Sequence, residues 1–162
     1  MDERNIEVVW FVTRRNKWSA MSRYRGAGPM SMLTDGAALL GRLLLALIFL
    51  LSGFQKLAGF EGTVAFMAAE GLPFPLLAAI VALIVECLGG VALVIGYQTP
   101  LVGLVMAVWC IATALVAHSD FSNQDQMINF LKNVAMAGGF LQLVAFGAGG
   151  WSLDARRGSA VL

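Results

Sequence analysis

Charged residues are scarce in this sequence, and their scarcity excludes an ordinary soluble domain. Only 13% of the 162 residues are Asp, Glu, Lys or Arg, whereas 59% are hydrophobic. Soluble domains carry about 25% charged residues and roughly half apolar residues. The mean hydropathy of +0.77 also indicates a protein that is not an ordinary soluble domain. We therefore expect most of the protein surface to face lipid instead of water.

Cysteine and histidine are too few for the sites that they usually build. Cys87 and Cys110 lie far apart in apolar stretches, without Cys-x-x-Cys spacing, which excludes a disulfide framework. His118 is the single histidine, and one histidine without a second ligand is most often an interfacial residue. We therefore predict no metal site and no cofactor held by the chain itself. A cysteine redox pair and a metal or haem ligand at His118 are the weaker alternatives.

Basic residues are unevenly distributed along the chain. Six of the eleven precede the first long apolar stretch, in the tail of residues 1–35: Arg4, Arg14, Arg15, Lys17, Arg23 and Arg25. A nucleic-acid-binding face needs basic residues beside polar and aromatic side chains on a folded domain. We therefore predict no nucleic-acid partner, and we interpret residues 1–35 as a flexible basic tail.

Four long apolar stretches fill most of the remaining sequence, and each is long enough to cross a hydrocarbon core of about 30 Å as a helix. They cover residues 36–58, 76–95, 101–117 and 127–146. A proline opens the second and the third stretch, and glycines follow the second and the fourth. The sequence therefore predicts an all-α, four-helix transmembrane bundle in a domain of residues 36–157, followed by a short tail of residues 158–162.

The orientation of the bundle follows from basic residues near the span ends, because Lys and Arg are retained on the cytoplasmic side during insertion. The N-terminal tail has six, and Arg156 and Arg157 follow the fourth span. The loops of residues 59–75 and 118–126 have no lysine or arginine. Both termini are therefore expected in the cytoplasm, with these two loops outside.

The first outer loop has an amphipathic pattern of its own. Phe60, Val64, Met67 and Ala68 recur at helical spacing, while Glu61 points elsewhere. A short amphipathic helix of this kind lies in the plane of the membrane surface. We therefore predict a short interfacial helix in this loop.

Ionisable residues inside spans are costly, so each needs a partner or a purpose. The candidate ligand-binding cluster consists of five polar residues in the predicted spans: Arg42, Lys56, Glu86, Lys132 and Asn133. Steps of three and four residues place Arg42 and Lys56 on one helical face. Glu86 lies near the middle of the second span, and Gly90 one turn later lets a neighbouring helix approach closely.

The helix rise of about 1.5 Å per residue gives the expected depths of these groups. Glu86 lies about 15 Å and Lys132 about 8 Å below the outer boundary, while Arg42 approaches from the cytoplasmic half. We therefore predict that Glu86 pairs with Arg42, Lys132 or both, with Lys56 nearer the outer water. The cluster then either fixes the helix register or lines a pocket for a quinone-like head group, a small anion or a proton.

In their order and spacing, these residues resemble the DoxX family of small four-span bacterial membrane proteins, over about residues 36–157. The matching pieces are Arg42 with Phe49 and residues 53–57, Glu86 with Gly90 and Gly96, Lys132 with Asn133, and the closing segment 147–154. The resemblance implies a multi-pass protein of the bacterial inner membrane. The family is named for a subunit of a thiosulfate-oxidising, quinone-reducing complex, and it has no settled catalytic motif to carry over.

The resemblance favours an accessory component of a quinone-linked redox system, without enzymatic activity of its own. A quinone is then the expected ligand. A soluble or membrane-bound redox partner protein would have to supply the electrons, because the chain includes no separate soluble redox domain. The alternatives are a small solute or proton transporter, in which Glu86 changes protonation during passage, and a purely structural membrane protein.

Overall fold

A computed structural model describes residues 29–158, and this part of the chain is helical without any strand. Six helices follow one another: α1 Pro29–Ala58, α2 Phe60–Ala69, α3 Pro75–Ile95, α4 Thr99–Ala117, α5 Gln124–Phe146 and α6 Leu153–Arg157. Four of them, α1, α3, α4 and α5, are long and apolar enough to cross a membrane. The predicted four-helix transmembrane bundle is therefore confirmed. Residues 1–28 of the predicted tail lie outside the described residues.

The outward-facing side chains of the long helices are apolar. Leu44, Leu88, Val108 and Leu131, one from each long helix, are all more than half exposed. Soluble monomers rarely expose apolar surface on this scale, because contact between apolar side chains and water is unfavourable. Lipid removes that cost, so the surface is that of a bundle embedded in a bilayer.

The helices end where the sequence predicts and begin somewhat earlier. At α5 the cause is visible, because Oδ1 of Asn123 accepts hydrogen bonds from the backbone N–H groups of Asp125 (2.9 Å) and Gln126 (3.3 Å). This N-cap starts the helix three residues before the apolar stretch. Helix α1 already includes residues 29–35, which the sequence pattern had placed in the tail.

From Gly36 onward the described residues form one compact unit. Its core lies among the four long helices and includes Phe49, Met106, Cys110 and Phe140. The rings of Phe49 and Phe140 contact each other, with 5.5 Å between their centroids and 58° between their planes. This contact joins α1 to α5 across the core.

Small residues bring α1 directly against α3. A Cβ atom added at Gly53 would lie 2.6 Å from Sγ of Cys87, and one added at Gly90 would lie 2.7 Å from Cδ2 of Leu50. No side chain larger than hydrogen fits at such distances without a shift of its neighbours. The prediction that Gly90 permits the close approach of another helix is therefore confirmed, and that helix is α1.

Helix α2 is the short helix predicted for the first loop. Phe60, Thr63, Val64 and Met67 lie on its half-buried face, while Ala68, predicted on the same face, is exposed. No residue of α2 is fully buried. The helix packs against α3.

Candidate functional site

The polar residues of the bundle separate into two groups at opposite ends. One end of the bundle carries the two longer connections between the long helices, residues 59–74 and 118–123. We call it the long-loop end. The opposite end carries the α3–α4 turn, residues 96–98, and the C-terminal segment of residues 147–158. We call it the turn end. The two groups perform different structural tasks.

A cavity of about 670 Å³ reaches into the bundle from the long-loop end and is lined by residues of α1 to α5. Four of the five predicted cluster residues line it: Lys56, Glu86, Lys132 and Asn133. Its remaining walls are mostly apolar and include Ile48, Val81 and Met136. Volumes of this size are typical of sites for small organic ligands and cofactors.

The centre of the cavity wall is an ion pair between α1 and α3. Nζ of Lys56 lies 2.9 Å from Oε2 of Glu86 and donates a second hydrogen bond, of 2.5 Å, to Oγ of Ser52. Glu86 is only 4% exposed, whereas the Lys56 side chain is 24% exposed. An isolated charge is expensive at such a position, and the opposite charge removes much of that cost.

Helix α5 provides a polar stripe on another wall of the cavity. Nδ2 of Asn133 donates to the backbone oxygen of Asn129 at 3.0 Å, and Oγ1 of Thr113 lies 3.4 Å from Oδ1 of Asn133. Nζ of Lys132 donates to Oδ1 of Asn129 at 3.4 Å. Among residues 29–158, no carboxylate lies within ion-pair distance of Lys132. Lys132 therefore remains an unbalanced cation on the cavity wall.

The predicted pairing of Glu86 with Arg42 or Lys132 is wrong, because the carboxylate pairs with Lys56. The close contact at Gly53 explains why Glu86 pairs with Lys56. A Cβ atom at Gly53 would lie 3.4 Å from Cβ of Glu86, so α1 passes next to the carboxylate at this point. Lys56 is one turn further along the same face of α1 and reaches the carboxylate directly. Arg42 is 14 residues before Lys56, which is about 21 Å along the helix.

Arg42 instead lies at the turn end, where it is completely buried. Its Nη1 donates to the backbone oxygen of Leu93 at 3.1 Å, and its Nη2 donates to that of Trp151 at 2.7 Å. The last carbonyls of a helix lack intrahelical partners, and a guanidinium is a suitable donor for them. Arg42 thus joins α1, α3 and the C-terminal segment, and it does not line the cavity.

Asp154 is the structural residue at the turn end that sequence reasoning missed. Its Oδ1 and Oδ2 each accept a 2.8 Å hydrogen bond, from the backbone N–H groups of Gln98 and Thr99. Its own N–H donates to the backbone oxygen of Gly96 at 2.9 Å. Asp154 therefore caps the N-terminus of α4. The only sequence signal was its place in the closing segment that resembles the ending of the family.

The rim of the cavity includes His118. Its Nδ1 lies 2.7 Å from Oε1 of Gln126, a hydrogen bond between the loop and α5. In the same loop the hydroxyl and N–H of Ser122 donate to Asp120, which lowers the pKa of that carboxyl below its usual value. No group of three or more potential metal ligands occurs among residues 29–158.

The two cysteines lie away from the cavity wall. Both are free thiols; Cys110 is buried in the core, and Cys87 packs against Gly53. Within residues 29–158 no disulfide joins them. Their positions are those of small apolar residues in helix packing.

Four apolar spanning helices that enclose a mostly apolar cavity with a few polar side chains define the class of this protein, a small multi-pass helical membrane protein. The model of the DoxX family matches residues 37–119. The chain is 40% identical over 123 residues to inner membrane protein YphA of Escherichia coli K12, covering 73% of this chain and 88% of that protein. It is 34% identical over 125 residues to inner membrane protein YqjF of the same organism, covering 77% and 95%.

The chain therefore belongs to the DoxX family, as the resemblance predicted, and it is an integral inner-membrane protein. No solved structure matches it. The two alignments cover nearly the whole length of both relatives, so the membrane domain is shared as a unit. Their names give a location and no ligand.

Proposed function

We propose that the protein is an accessory subunit of a quinone-linked redox system and that it holds a quinone-type ligand in the cavity. The observation that carries this proposal is the combination of apolar walls with N–H donors in one cavity. A quinone has carbonyl oxygens, which only accept hydrogen bonds, on an apolar ring. Lys56 and Lys132 offer ammonium donors and Asn133 offers an amide, while Ile48 and Val81 belong to the apolar wall.

The outer part of the cavity suits a hydrocarbon tail. Phe66, Phe74 and Leu77 line the cavity and are also between 48% and 69% exposed. These side chains therefore connect its interior to the outer surface of the bundle. A ligand with its head group near Lys56 can extend an apolar tail along them into the bilayer, where the tail avoids water.

The redox chemistry itself is assigned to a partner protein. Conversion of a quinone to a quinol takes up two electrons and two protons, and we assign the electrons to a soluble or membrane-bound oxidoreductase. The role of this chain is to bind and orient the quinone ring. Such a division is ordinary for cofactor chemistry, in which the protein supplies binding, orientation and electrostatics.

The proposal includes a topology with both termini in the cytoplasm. Basic residues precede α1 and also occur at Arg156 and Arg157 in α6, whereas the connections at the long-loop end have no lysine or arginine. The cavity would then face the periplasm. Reporter fusions after residue 158 and within residues 118–123 test this topology: the first should be active only with a cytoplasmic reporter, the second only with a periplasmic one.

Quinone binding is testable by filling the cavity. In lipid nanodiscs we expect the protein to bind decylubiquinone or a short-chain menaquinone, as followed by isothermal titration calorimetry. Val81→Trp places a large side chain on the cavity wall and should weaken binding at least about tenfold, a loss of about 1.4 kcal/mol. Val108→Trp is the matched control, because Val108 is exposed and does not line the cavity. Absence of quinone binding, or equal effects of both variants, would contradict the proposal.

One observation favours a second function, solute or proton transport. Glu86 is a buried carboxylate on the wall of a cavity that is open at one end, as in many ion pathways. However, α1, α3, α4 and α5 run without interruption, whereas transport sites commonly use broken helices. Proteoliposomes decide between the two functions: a proton or solute flux that Glu86→Gln abolishes would favour transport over the accessory role.

A further inference from the structure

The charges on the cavity wall do not balance. Lys56 and Glu86 form a neutral pair at 2.9 Å. Lys132 also lines the cavity, and its only hydrogen-bond partner among residues 29–158 is the uncharged oxygen Oδ1 of Asn129, at 3.4 Å. The lysines and the carboxylate of the lining thus amount to two positive charges against one negative charge. Among the described residues, Glu86 is the only acidic side chain in the wall.

The position of Lys132 makes this excess charge significant. Lys132 is eight residues after the first residue of α5 and five after Met127, the first apolar residue of that helix, so it lies about 8 Å into the apolar part of the span. A cation at such depth requires an anion, or its side chain must extend towards water. Its neighbours on the same face, Asn129 and Asn133, both line the cavity. The excess charge therefore belongs to the site where a ligand would bind.

Glu86 does not prevent an anion from entering the cavity. Its carboxylate is neutralised by Lys56, which is itself held by Ser52 at 2.5 Å. Lys56 still has N–H capacity beyond these two hydrogen bonds, since an ammonium group has three donors. A ligand with a negatively charged oxygen would thus enter a cavity whose walls carry the ammonium groups of Lys132 and Lys56 and the amide of Asn133.

We propose that the cavity binds its ligand as an anion, with Lys132 as the counter-charge. The ligand class is an apolar body that ends in a single negatively charged oxygen group. This inference rests on the proposed function for the location of the site, and it narrows the ligand from neutral quinones to acidic ones. A quinone with an ionised ring hydroxyl and a fatty carboxylate share this chemistry, so both are used as probes.

The experiment compares two pairs of ligands that differ in charge. The first pair is a 2-hydroxy-3-alkyl-1,4-naphthoquinone, which is an anion at pH 8, and its neutral 2-methoxy ether. The second pair is laurate and methyl laurate. Binding to the full chain in nanodiscs of neutral lipid is measured by isothermal titration calorimetry. We expect the anionic naphthoquinone to bind about tenfold or more tightly than its ether, as charge-assisted hydrogen bonds predict.

Variants of Lys132 test whether this residue causes the preference for the anionic naphthoquinone. Lys132→Gln should bring the two naphthoquinones within about twofold of each other, whereas Lys132→Arg should retain the preference, because it keeps the charge. Lys132 is exposed, so neither substitution disturbs the core. Arg156→Gln is the control, since it removes an exposed positive charge at the turn end. This control should leave the preference unchanged.

The outcomes separate this inference from the proposed function. Equal binding of both naphthoquinones to the wild type would overturn the inference and leave quinone binding intact. Binding of laurate in preference to its ester, without binding of any quinone, would support the anionic site and overturn the quinone function. A preference that persists in Lys132→Gln would overturn the assignment to Lys132. Binding of none of the four probes would overturn both proposals.

Discussion

Oδ2 of Asp154 accepts a 2.8 Å hydrogen bond from the backbone N–H of Thr99, although 55 residues separate them in the chain. Oδ1 of the same carboxylate accepts a bond from the N–H of Gln98. The first N–H groups of a helix have no intrahelical partner, and a carboxylate there also interacts favourably with the helix dipole. The C-terminal segment therefore completes the start of α4.

Loss of this long-range cap should destabilise the bundle. We expect Asp154→Ala to lower the free energy of unfolding by about 1–2 kcal/mol, the usual effect of losing an N-cap. Unfolding of the detergent-solubilised protein by a graded increase in sodium dodecyl sulfate measures the change. Asp125→Ala is the control, because Asp125 is an exposed acid in the first turn of α5 and its carboxylate caps no other helix of residues 29–158. A loss no larger than that of the control would show that the cap contributes little.

The contact between α1 and α3 predicts opposite effects for two glycines of the same helix. A Cβ atom at Gly53 would overlap Sγ of Cys87, whereas one at Gly41 would have no atom within 4 Å beyond the local backbone of its own helix. Alanine is about 1 kcal/mol more favourable than glycine inside a helix. Gly41→Ala should therefore be neutral or stabilising, and Gly53→Ala should be destabilising by about 1–3 kcal/mol, because α1 must move away from α3.

Both alanine variants are compared in the same unfolding assay. Gly53→Ala should also weaken quinone binding, since a shift of α1 moves Lys56 away from Glu86. Equal stability of the two variants would mean that the bundle accommodates the added methyl group and that the contact does not fix the helix separation.

The fold was predictable because the bilayer imposes length and composition on each span. The four apolar stretches alone located the ends of α1, α3, α4 and α5. The start of α5 was not predictable from hydropathy, because a polar first turn capped by Asn123 resembles a loop. Helix α6 is too short and too polar to show a periodic pattern in the sequence. Only the contacts of Asp154 with Gln98 and Thr99 reveal its role.

Four of the five candidate site residues line one cavity, as expected for polar groups in a span, which face the interior, and ligand binding by them stays a prediction. Their pairing was not predictable. The rise per residue gives the depth of each charged group in the membrane but not its partner. The partner of Glu86 is decided by the close approach of α1 and α3 at Gly53. Likewise, nothing local indicated that Arg42 would bind the carbonyl oxygens of Leu93 and Trp151 instead of a carboxylate.

The separation of Arg42 from the cavity predicts that stability and binding respond differently to its loss. Arg42→Leu leaves the carbonyl oxygens of Leu93 and Trp151 without this donor and should cost about 2–4 kcal/mol of unfolding free energy. Quinone binding to the fraction that remains folded should be unchanged within about twofold, since Arg42 does not line the cavity. Arg156→Leu, an exposed change at the same end, is the control. A selective loss of quinone affinity without a loss of stability would assign Arg42 to the ligand site.

The ion pair between Lys56 and Glu86 makes the sharpest prediction about stability. Lys56→Met removes the positive charge and leaves a carboxylate that is only 4% exposed without its partner, so a loss of about 3 kcal/mol or more is expected. Glu86→Leu alone leaves the half-buried ammonium of Lys56 unpaired and should cost less. The double variant should recover to within about 1 kcal/mol of the wild type, because buried pairs can be replaced by apolar residues. Additive losses in this double-mutant cycle would show that the two charges are stabilised independently, and the pair would then not be what holds the carboxylate in the cavity wall.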